Sequence, residues 1–124
     1  MINLLAVFVG GGIGSVLRFA IGEFFLKKTE INLPAATFSV NLIGSFIIGF
    51  LFAYFVNKPE INPALKFALT VGFCGGLTTF STFSLELFEM IKSAQFLQAV
   101  FYIVASVVVC LGAVYAGFMV YRSL

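Results

Sequence analysis

The sequence contains no histidine and no tryptophan, and it has only two cysteines, Cys74 and Cys110. The lack of histidine excludes haem sites, zinc fingers and catalysis by a histidine base, so we do not expect an enzyme. Both cysteines lie within apolar stretches, where cysteine packs as a small apolar residue more often than it forms a disulfide. The net charge of +2 is too small to indicate a nucleic-acid partner.

Charged residues are also scarce. They make up 10% of the chain, against about 25% in an average soluble domain. Hydrophobic residues account for 61% of the 124 positions. Lys, Arg, Asp and Glu are absent from four long stretches, which are residues 1–17, 31–57, 67–85 and 93–121. Because a membrane-spanning helix needs about 20 apolar residues, the sequence predicts a multi-pass protein of the lipid bilayer without a soluble domain.

Short polar segments divide the chain into four predicted membrane spans. They cover approximately residues 2–26, 34–56, 63–92 and 95–121. Pro34 and Pro63 suit the first turn of a helix, and Asn62 is the expected N-cap of the third span. We expect an all-α membrane protein whose single domain covers residues 1–124, because lipid cannot satisfy the edges of an open β-sheet.

The basic residues are evenly divided between the two faces that these spans define. Lys58, Lys66 and Arg122 belong to one face, and Lys27, Lys28 and Lys92 belong to the other. An excess of Lys and Arg on one side sets the orientation of a membrane protein. The balance favours insertion in both orientations over a single orientation set by a small bias. Two opposed copies would then form an antiparallel, dual-topology homodimer with a twofold axis in the membrane plane.

Residues 72–84 are unusual for a membrane helix, because three glycines are followed by five hydroxyl residues. Small residues let membrane helices pack closely, which explains the glycines but not the hydroxyls. We therefore predict that the third helix is broken in the middle of the membrane, with Thr78 or Thr79 capping its second half. Carbonyl groups freed by such a break can bind a hard monovalent cation such as Na⁺.

Phe80 and Phe83 lie three residues apart and would share one face of a helix. Each ring taken singly is more typical of packing or lipid contact, since the chain has 17 phenylalanines. The hydroxyl groups around this pair favour a second interpretation. The electropositive edge of an aromatic ring can coordinate a small anion without the tight grip of a full charge.

Two polar residues lie inside the predicted first and second spans. Asn41 falls on one helix face with Thr37 and Ser45, and its amide can either hold helices together or donate to an anion. Arg18 is a functional candidate, because an arginine inside the membrane is costly. Snorkelling towards the membrane surface or an ion pair with Glu23 would also explain Arg18. The sequence leaves these alternatives open.

Polar residues also mark the end of the third span and the start of the fourth. Glu86 lies four residues after Thr82 and either continues the same stripe or is a solvated carboxylate at the membrane surface. Tyr102 and Ser106 are also four residues apart and form a polar stripe that could face a pore.

Together these residues resemble the Fluc (CrcB-type) family of fluoride channels over nearly the whole chain. The resemblance rests on residues 11–19 (Gly-Gly-Ile-Gly-Ser-Val-Leu-Arg-Phe), residues 37–45 around Asn41, and the highly specific segment 72–86. Phe19 stands where the family often has tyrosine. The resemblance implies a dual-topology homodimer with two pores for fluoride ion, which export F⁻ passively across the cytoplasmic (inner) membrane of a bacterium.

The resemblance also implies which residues form the sites. Main-chain carbonyls of Gly75 and Thr78 from each subunit would hold a central Na⁺. The ring edges of Phe80 and Phe83, with the side chain of Asn41, would line each pore. A polar track would comprise Tyr102, Ser81, Thr82 and Ser84, and we add Glu86 from its place on the same stripe.

A proton-coupled exporter of the small multidrug-resistance type is the main alternative, because it has the same size and number of spans. That mechanism needs a carboxylate deep in the first span, and residues 1–22 contain no Asp or Glu. A non-transporting auxiliary subunit would also have four helices. It would not account for the concentration of polar groups in residues 72–86.

Overall fold

The computed structural model describes residues 1–28 and 33–124, and these residues form helices joined by short turns, with no strand among them. Three long helices are α1 (Ile2–Lys28), α2 (Leu33–Val56) and, at the end of the chain, α6 (Phe96–Ser123). The segment between α2 and α6 is divided into shorter elements. These are α3 (Pro63–Phe67), a π-helix (Ala68–Cys74), α4 (Gly75–Leu77) and α5 (Phe80–Lys92).

Four segments are long and apolar enough to cross a membrane: Ile2–Lys27, Pro34–Val56, Pro63–Lys92 and Phe96–Ser123. This confirms the four predicted spans, with boundaries that differ by no more than two residues. Many large apolar side chains, such as Phe8, Val16, Phe101 and Leu111, are exposed on the outside of the bundle. An outer surface of this kind suits lipid, and helices satisfy their backbone groups internally there. The protein is therefore a multi-pass membrane protein.

The turn between the second and third spans and the turn between the third and fourth are closed by local hydrogen bonds. Asn62 is the N-cap of α3, as predicted, because its side-chain oxygen accepts the Ala64 N–H at 2.8 Å. Between α5 and α6 the chain reverses through Ala94, which has a positive φ of 59°. The N–H of Gln95 bonds the carbonyl of Met90 at 2.8 Å and so closes this turn.

Helix α1 approaches the π-helix and α4 at backbone distance. A Cβ atom added at Gly14 would overlap the Phe73 carbonyl oxygen and lie 2.8 Å from the Leu77 nitrogen. From the other side, a Cβ atom at Gly76 would overlap the Gly11 carbonyl oxygen. The glycines of both segments therefore allow the close packing that small residues give membrane helices.

Thr78 and Thr79 separate α4 from α5. Both have extended backbone angles, with φ −83° and ψ 159° at Thr78 and φ −150° and ψ 123° at Thr79. Thr79 is the N-cap of α5, because its hydroxyl oxygen accepts the Thr82 N–H at 3.2 Å. Several polar groups from the other helices converge on these two residues.

Candidate functional site

A groove of about 630 Å³ runs along α2, the π-helix, the Thr78–Thr79 segment and α6. Its polar lining residues are Asn41, Ser45, Thr70, Thr78, Thr79 and Ser106. Phe80 and Phe83 also line it. Among the described residues that form its wall, none is charged. The groove therefore offers neutral hydrogen-bond donors and ring edges rather than a fixed cation or carboxylate.

Asn41 satisfies both backbone groups of Thr79. Its Oδ1 accepts the Thr79 N–H at 2.7 Å, and its Nδ2 donates to the Thr79 carbonyl at 3.1 Å. A side-chain amide carries two N–H donors, so the second Nδ2 hydrogen is not used by Thr79. Asn41 thus has the helix-joining role that the sequence left open, and it keeps a donor that can serve an anion in the groove.

The two carbonyls predicted to bind Na⁺ have lost their usual helical donors. In a continuous helix the Thr79 N–H would bond the Gly75 carbonyl, but it bonds Asn41 instead. Likewise the Thr82 N–H, which would bond the Thr78 carbonyl, bonds the Thr79 hydroxyl. Gly75 is exposed, and no atom lies within 4 Å of the position its Cβ would take. Carbonyl oxygens that have lost their helical donors fit a hard monovalent cation.

Arg18 also reaches this segment from α1. Its Nη1 donates to the Thr78 carbonyl at 3.4 Å, and the side chain is half-buried. The alternative in which Arg18 pairs with Glu23 is wrong for this structure, because Glu23 forms its ion pair with Lys27 at 3.5 Å. Arg18 therefore contacts the Thr78 carbonyl, which is one of the two carbonyls that the family resemblance assigns to Na⁺.

Phe80, Phe83 and Tyr102 form a continuous row of rings. The ring centroids of Phe80 and Phe83 lie 5.7 Å apart, and those of Phe83 and Tyr102 lie 5.0 Å apart at an angle of 60°. Phe83 is only 8% exposed, whereas Phe80 is 79% exposed in the single chain. The predicted shared face is confirmed, and the row leads from the outer surface of the chain into its interior.

Glu86 is buried, with only 5% of its surface exposed. Thr37 donates its hydroxyl to Oε1 at 2.6 Å, and Tyr102 donates its phenol to Oε2 at 2.8 Å. The alternative of a solvated carboxylate at the membrane surface is therefore wrong. The sequence placed Thr37 on the same helix face as Asn41 but assigned it no role. Its four-residue spacing from Asn41 indicated that its hydroxyl faces the other polar groups of the bundle.

Ser106 was placed by the sequence on a stripe with Tyr102 that could face a pore, but the resemblance assigned it no role in the pore. Its hydroxyl is fully buried and has no hydrogen-bond partner within the described part of the chain. The residue lines the groove, one helical turn from Tyr102. Buried polar groups almost always have a partner, and this hydroxyl would gain one if its side chain turned towards an ion or a water in the groove.

Ser81, Thr82 and Ser84 lie on the exposed surface of α5. Ser81 and Thr82 are near the Thr79 hydroxyl, with oxygen–oxygen distances of 3.4 and 3.1 Å. The single chain does not place these three side chains in the lining of the groove. Their membership of a polar track stays a prediction, as do the pore roles of Glu86 and Tyr102.

The sequence matches the family profile described as "CrcB-like protein, Camphor Resistance (CrcB)" over residues 5–118. This match includes most of the first and fourth spans, the whole of the second and third, and every residue of the groove. The groove, the Thr78–Thr79 segment and Glu86 all lie within the matched residues.

Curated relatives carry one name, "Fluoride-specific ion channel FluC". The relative from Citrifermentans bemidjiense is 40% identical over 124 residues, which is the full length of both chains. The relative from Hahella chejuensis is 43% identical over 120 residues, covering 97% of this chain and 94% of the relative. The relative from Serratia proteamaculans is 50% identical over 99 residues, covering 78% and 76%.

Proposed function

The chain belongs to the CrcB-like protein family, and from this premise we propose that it is a fluoride-selective ion channel. It exports F⁻ passively from the bacterial cytoplasm through the inner membrane. The names of its relatives support the substrate, and one structural observation carries the proposal. The groove is walled by uncharged donors and ring edges, and one buried donor, the Ser106 hydroxyl, has no protein partner within the described residues.

Neutral donors suit the conduction of a small, strongly hydrated anion. Such an ion must exchange its water for several donors, but a site that binds it too tightly would stop conduction. The Ser106 hydroxyl and the second N–H of Asn41 are available as donors. The electropositive edge of Phe83 adds a weaker attraction. These groups replace water around F⁻ without a full positive charge to retain it.

The working unit is an antiparallel homodimer with two pores, formed by chains that insert in both orientations. Equal numbers of basic residues on the two faces support the dual orientation. The groove lies open along one side of the single chain, and Phe80 at its edge is 79% exposed. A second, oppositely oriented copy closes each groove into a pore and covers Phe80 together with the exposed hydroxyls of α5.

The break in the third helix lies near the middle of the bilayer. In support, Thr78 is the sixteenth residue of the 30-residue span Pro63–Lys92. The Gly75 and Thr78 carbonyls of both copies would hold a structural Na⁺ on the twofold axis. When bound, this ion supplies a fixed positive potential next to the pores without lying in the path of F⁻.

The direction of transport follows from the chemistry of fluoride. Fluoride enters a cell as neutral HF and dissociates in the more alkaline cytoplasm. The inside-negative potential, which is worth about 2.3 kcal/mol per charge for each 100 mV, then drives F⁻ outward. No energy-coupling site is required, and the sequence has no phosphate-binding loop motif.

A liposome efflux assay tests the activity. Proteoliposomes loaded with potassium fluoride should release F⁻ when valinomycin carries the compensating K⁺, whereas those loaded with chloride should retain it. Protein-free liposomes are the control. Equal release of chloride and fluoride would contradict selectivity, and no release of fluoride would contradict a channel.

A labelling experiment tests the assembly separately. A cysteine added after Leu124 should react with a membrane-impermeant maleimide from both sides of the membrane, in about equal amounts. The parent protein, which keeps Cys74 and Cys110, is the control for background reaction. A tail that reacts from one side only would rule out the dual-topology dimer.

A further inference from the structure

A second cavity of about 410 Å³ adjoins the groove at Thr70. The two cavities share Ile48 and Thr70 as lining residues. The second cavity also touches Phe52, Phe55 and Val56 at the end of α2, and Lys66 at the end of α3. The uncharged groove past Asn41 and Ser106 therefore adjoins a pocket whose wall includes one ammonium group.

Two contacts hold Lys66 in this position. Its Nζ lies 5.8 Å from the centroid of the Phe55 ring, and Phe55 is itself buried. The Thr70 hydroxyl donates to the Lys66 carbonyl at 2.7 Å, which ties the residue to the shared wall of the two cavities. Lys66 is half-buried, and it forms no ion pair with any residue that the structure describes. Its charge is consequently uncompensated by the protein.

The net charge differs between the two ends of the helix bundle. Lys58, Lys66 and Arg122 lie at the end that contains the 57–62 turn, where Glu60 is the only acidic side chain. Glu86, which is buried, lies in the middle of α5, on the other side of the Thr78–Thr79 segment from Lys66. Glu86 lines neither cavity, so Lys66 is the charged side chain that an anion meets among the described residues that wall them.

We propose that Lys66 collects anions at the mouth of the path, raising the local concentration of F⁻ before the ion reaches the uncharged donors. The inference rests on the proposed fluoride conduction and adds a residue that sets its rate. A basic group in a cleft with low-dielectric walls focuses its field and speeds the arrival of an opposite charge. Because Lys66 lines the adjoining cavity and not the groove itself, it attracts the ion without retaining it there.

Lys58 provides a matched control for this role. It lies at the same end of the chain, and its Nζ is 5.1 Å from the Tyr54 ring centroid, so it makes a similar cation–π contact. Unlike Lys66, it is exposed and lines neither cavity. Replacing either lysine changes the balance of basic residues between the faces by the same amount. Any effect on insertion should therefore be common to both variants.

The test compares Lys66→Gln, Lys66→Arg and Lys58→Gln as purified dimers in planar bilayers. At an ionic strength of about 0.01 M, Lys66→Gln should lower the fluoride current about two- to fivefold, and Lys66→Arg should retain it. At about 1 M, where the Debye length falls from about 30 Å to about 3 Å, the difference should disappear. Lys58→Gln should match the parent protein under both conditions.

The results separate this inference from the proposed function. If the parent protein conducts fluoride and Lys66→Gln has the same current at low ionic strength, the role of Lys66 is wrong and the channel stands. An equal loss in Lys58→Gln would also overturn it, since the effect would then come from general surface charge. If the parent protein conducts no fluoride, the proposed function itself fails.

A second measurement changes the charge in an already folded protein. In a Lys66→Cys, Cys110→Ser variant, a positively charged methanethiosulfonate should raise the low-salt fluoride current and a negatively charged one should lower it. Cys110 is replaced because it lines the groove, where a reagent could modify it. The Cys110→Ser protein with Lys66 intact is the control for reaction at other sites. Equal changes with both reagents would show steric block and overturn the electrostatic role.

Discussion

The side-chain amide of Asn41 pairs with Thr79 as a neighbouring β-strand would, accepting its N–H at 2.7 Å and donating to its carbonyl at 3.1 Å. The contact joins α2 to the residue that caps α5, 38 positions further along the chain. An extended residue between two helices in a bilayer has no water to satisfy its backbone, and an unmet group there is costly. Asn41 is therefore the residue that stabilises the Thr78–Thr79 segment.

Asn41→Asp is the sharpest test of this pairing. The carboxylate can still accept the Thr79 N–H, but it places a second oxygen against the Thr79 carbonyl and puts a negative charge in the anion path. We expect a lower melting temperature in detergent, corresponding to about 1–3 kcal/mol, and loss of most fluoride flux. Ser39→Ala is the control, because its hydroxyl bonds only the Ala35 carbonyl of the same helix. Wild-type stability and flux in Asn41→Asp would contradict the pairing.

Tyr102→Phe should destabilise the protein by leaving Glu86 Oε2 without its donor at 2.8 Å. The ring contact with Phe83 is preserved, so the loss of about 1–3 kcal/mol would report the hydrogen bonds of the phenol, which also donates to the Pro34 carbonyl at 3.5 Å. In a Glu86→Gln background the same change should cost less, because an uncharged acceptor loses less. Tyr115→Phe, at an exposed tyrosine, is the control. Additive losses in the double variant would show that the two residues are not coupled.

Phe83→Ile and Phe80→Ile should lower fluoride flux while the protein elutes from a sizing column in detergent at the same volume as the parent protein. Isoleucine keeps an apolar side chain but has no electropositive ring edge to offer an anion. Phe88→Ile on the same helix is the matched control, since Phe88 faces outward and is 61% exposed. If both groove variants conduct like the control, the rings have no part in conduction.

Ser106→Ala should move stability and flux in opposite directions. The hydroxyl is buried without a protein partner among the described residues, so its removal should leave the melting temperature unchanged or raise it. Fluoride flux should fall, because the groove loses a donor that contacts the ion. Ser123→Ala, at an exposed serine near the chain end, is the control. A variant that is less stable and conducts normally would assign Ser106 to packing.

Part of this architecture was predictable from the sequence, because the features concerned are local. Charge-free runs and Pro63 after Asn62 are sufficient to place four spans and the cap of α3, since a helix end depends on neighbouring residues. The capping of a helix by one of two adjacent threonines is local in the same sense. The three-residue spacing of Phe80 and Phe83 likewise determines that the rings share a face.

Partners across the bundle were decided only by the tertiary structure. The sequence left Asn41 between two roles and Glu86 between two environments, and it did not select the Thr78 carbonyl as the partner of Arg18. Each of these contacts joins residues that lie far apart in the chain, with 60 positions between Arg18 and Thr78. Periodicity shows which face of a helix is polar. The rotation and packing of the helices determine which group that face meets.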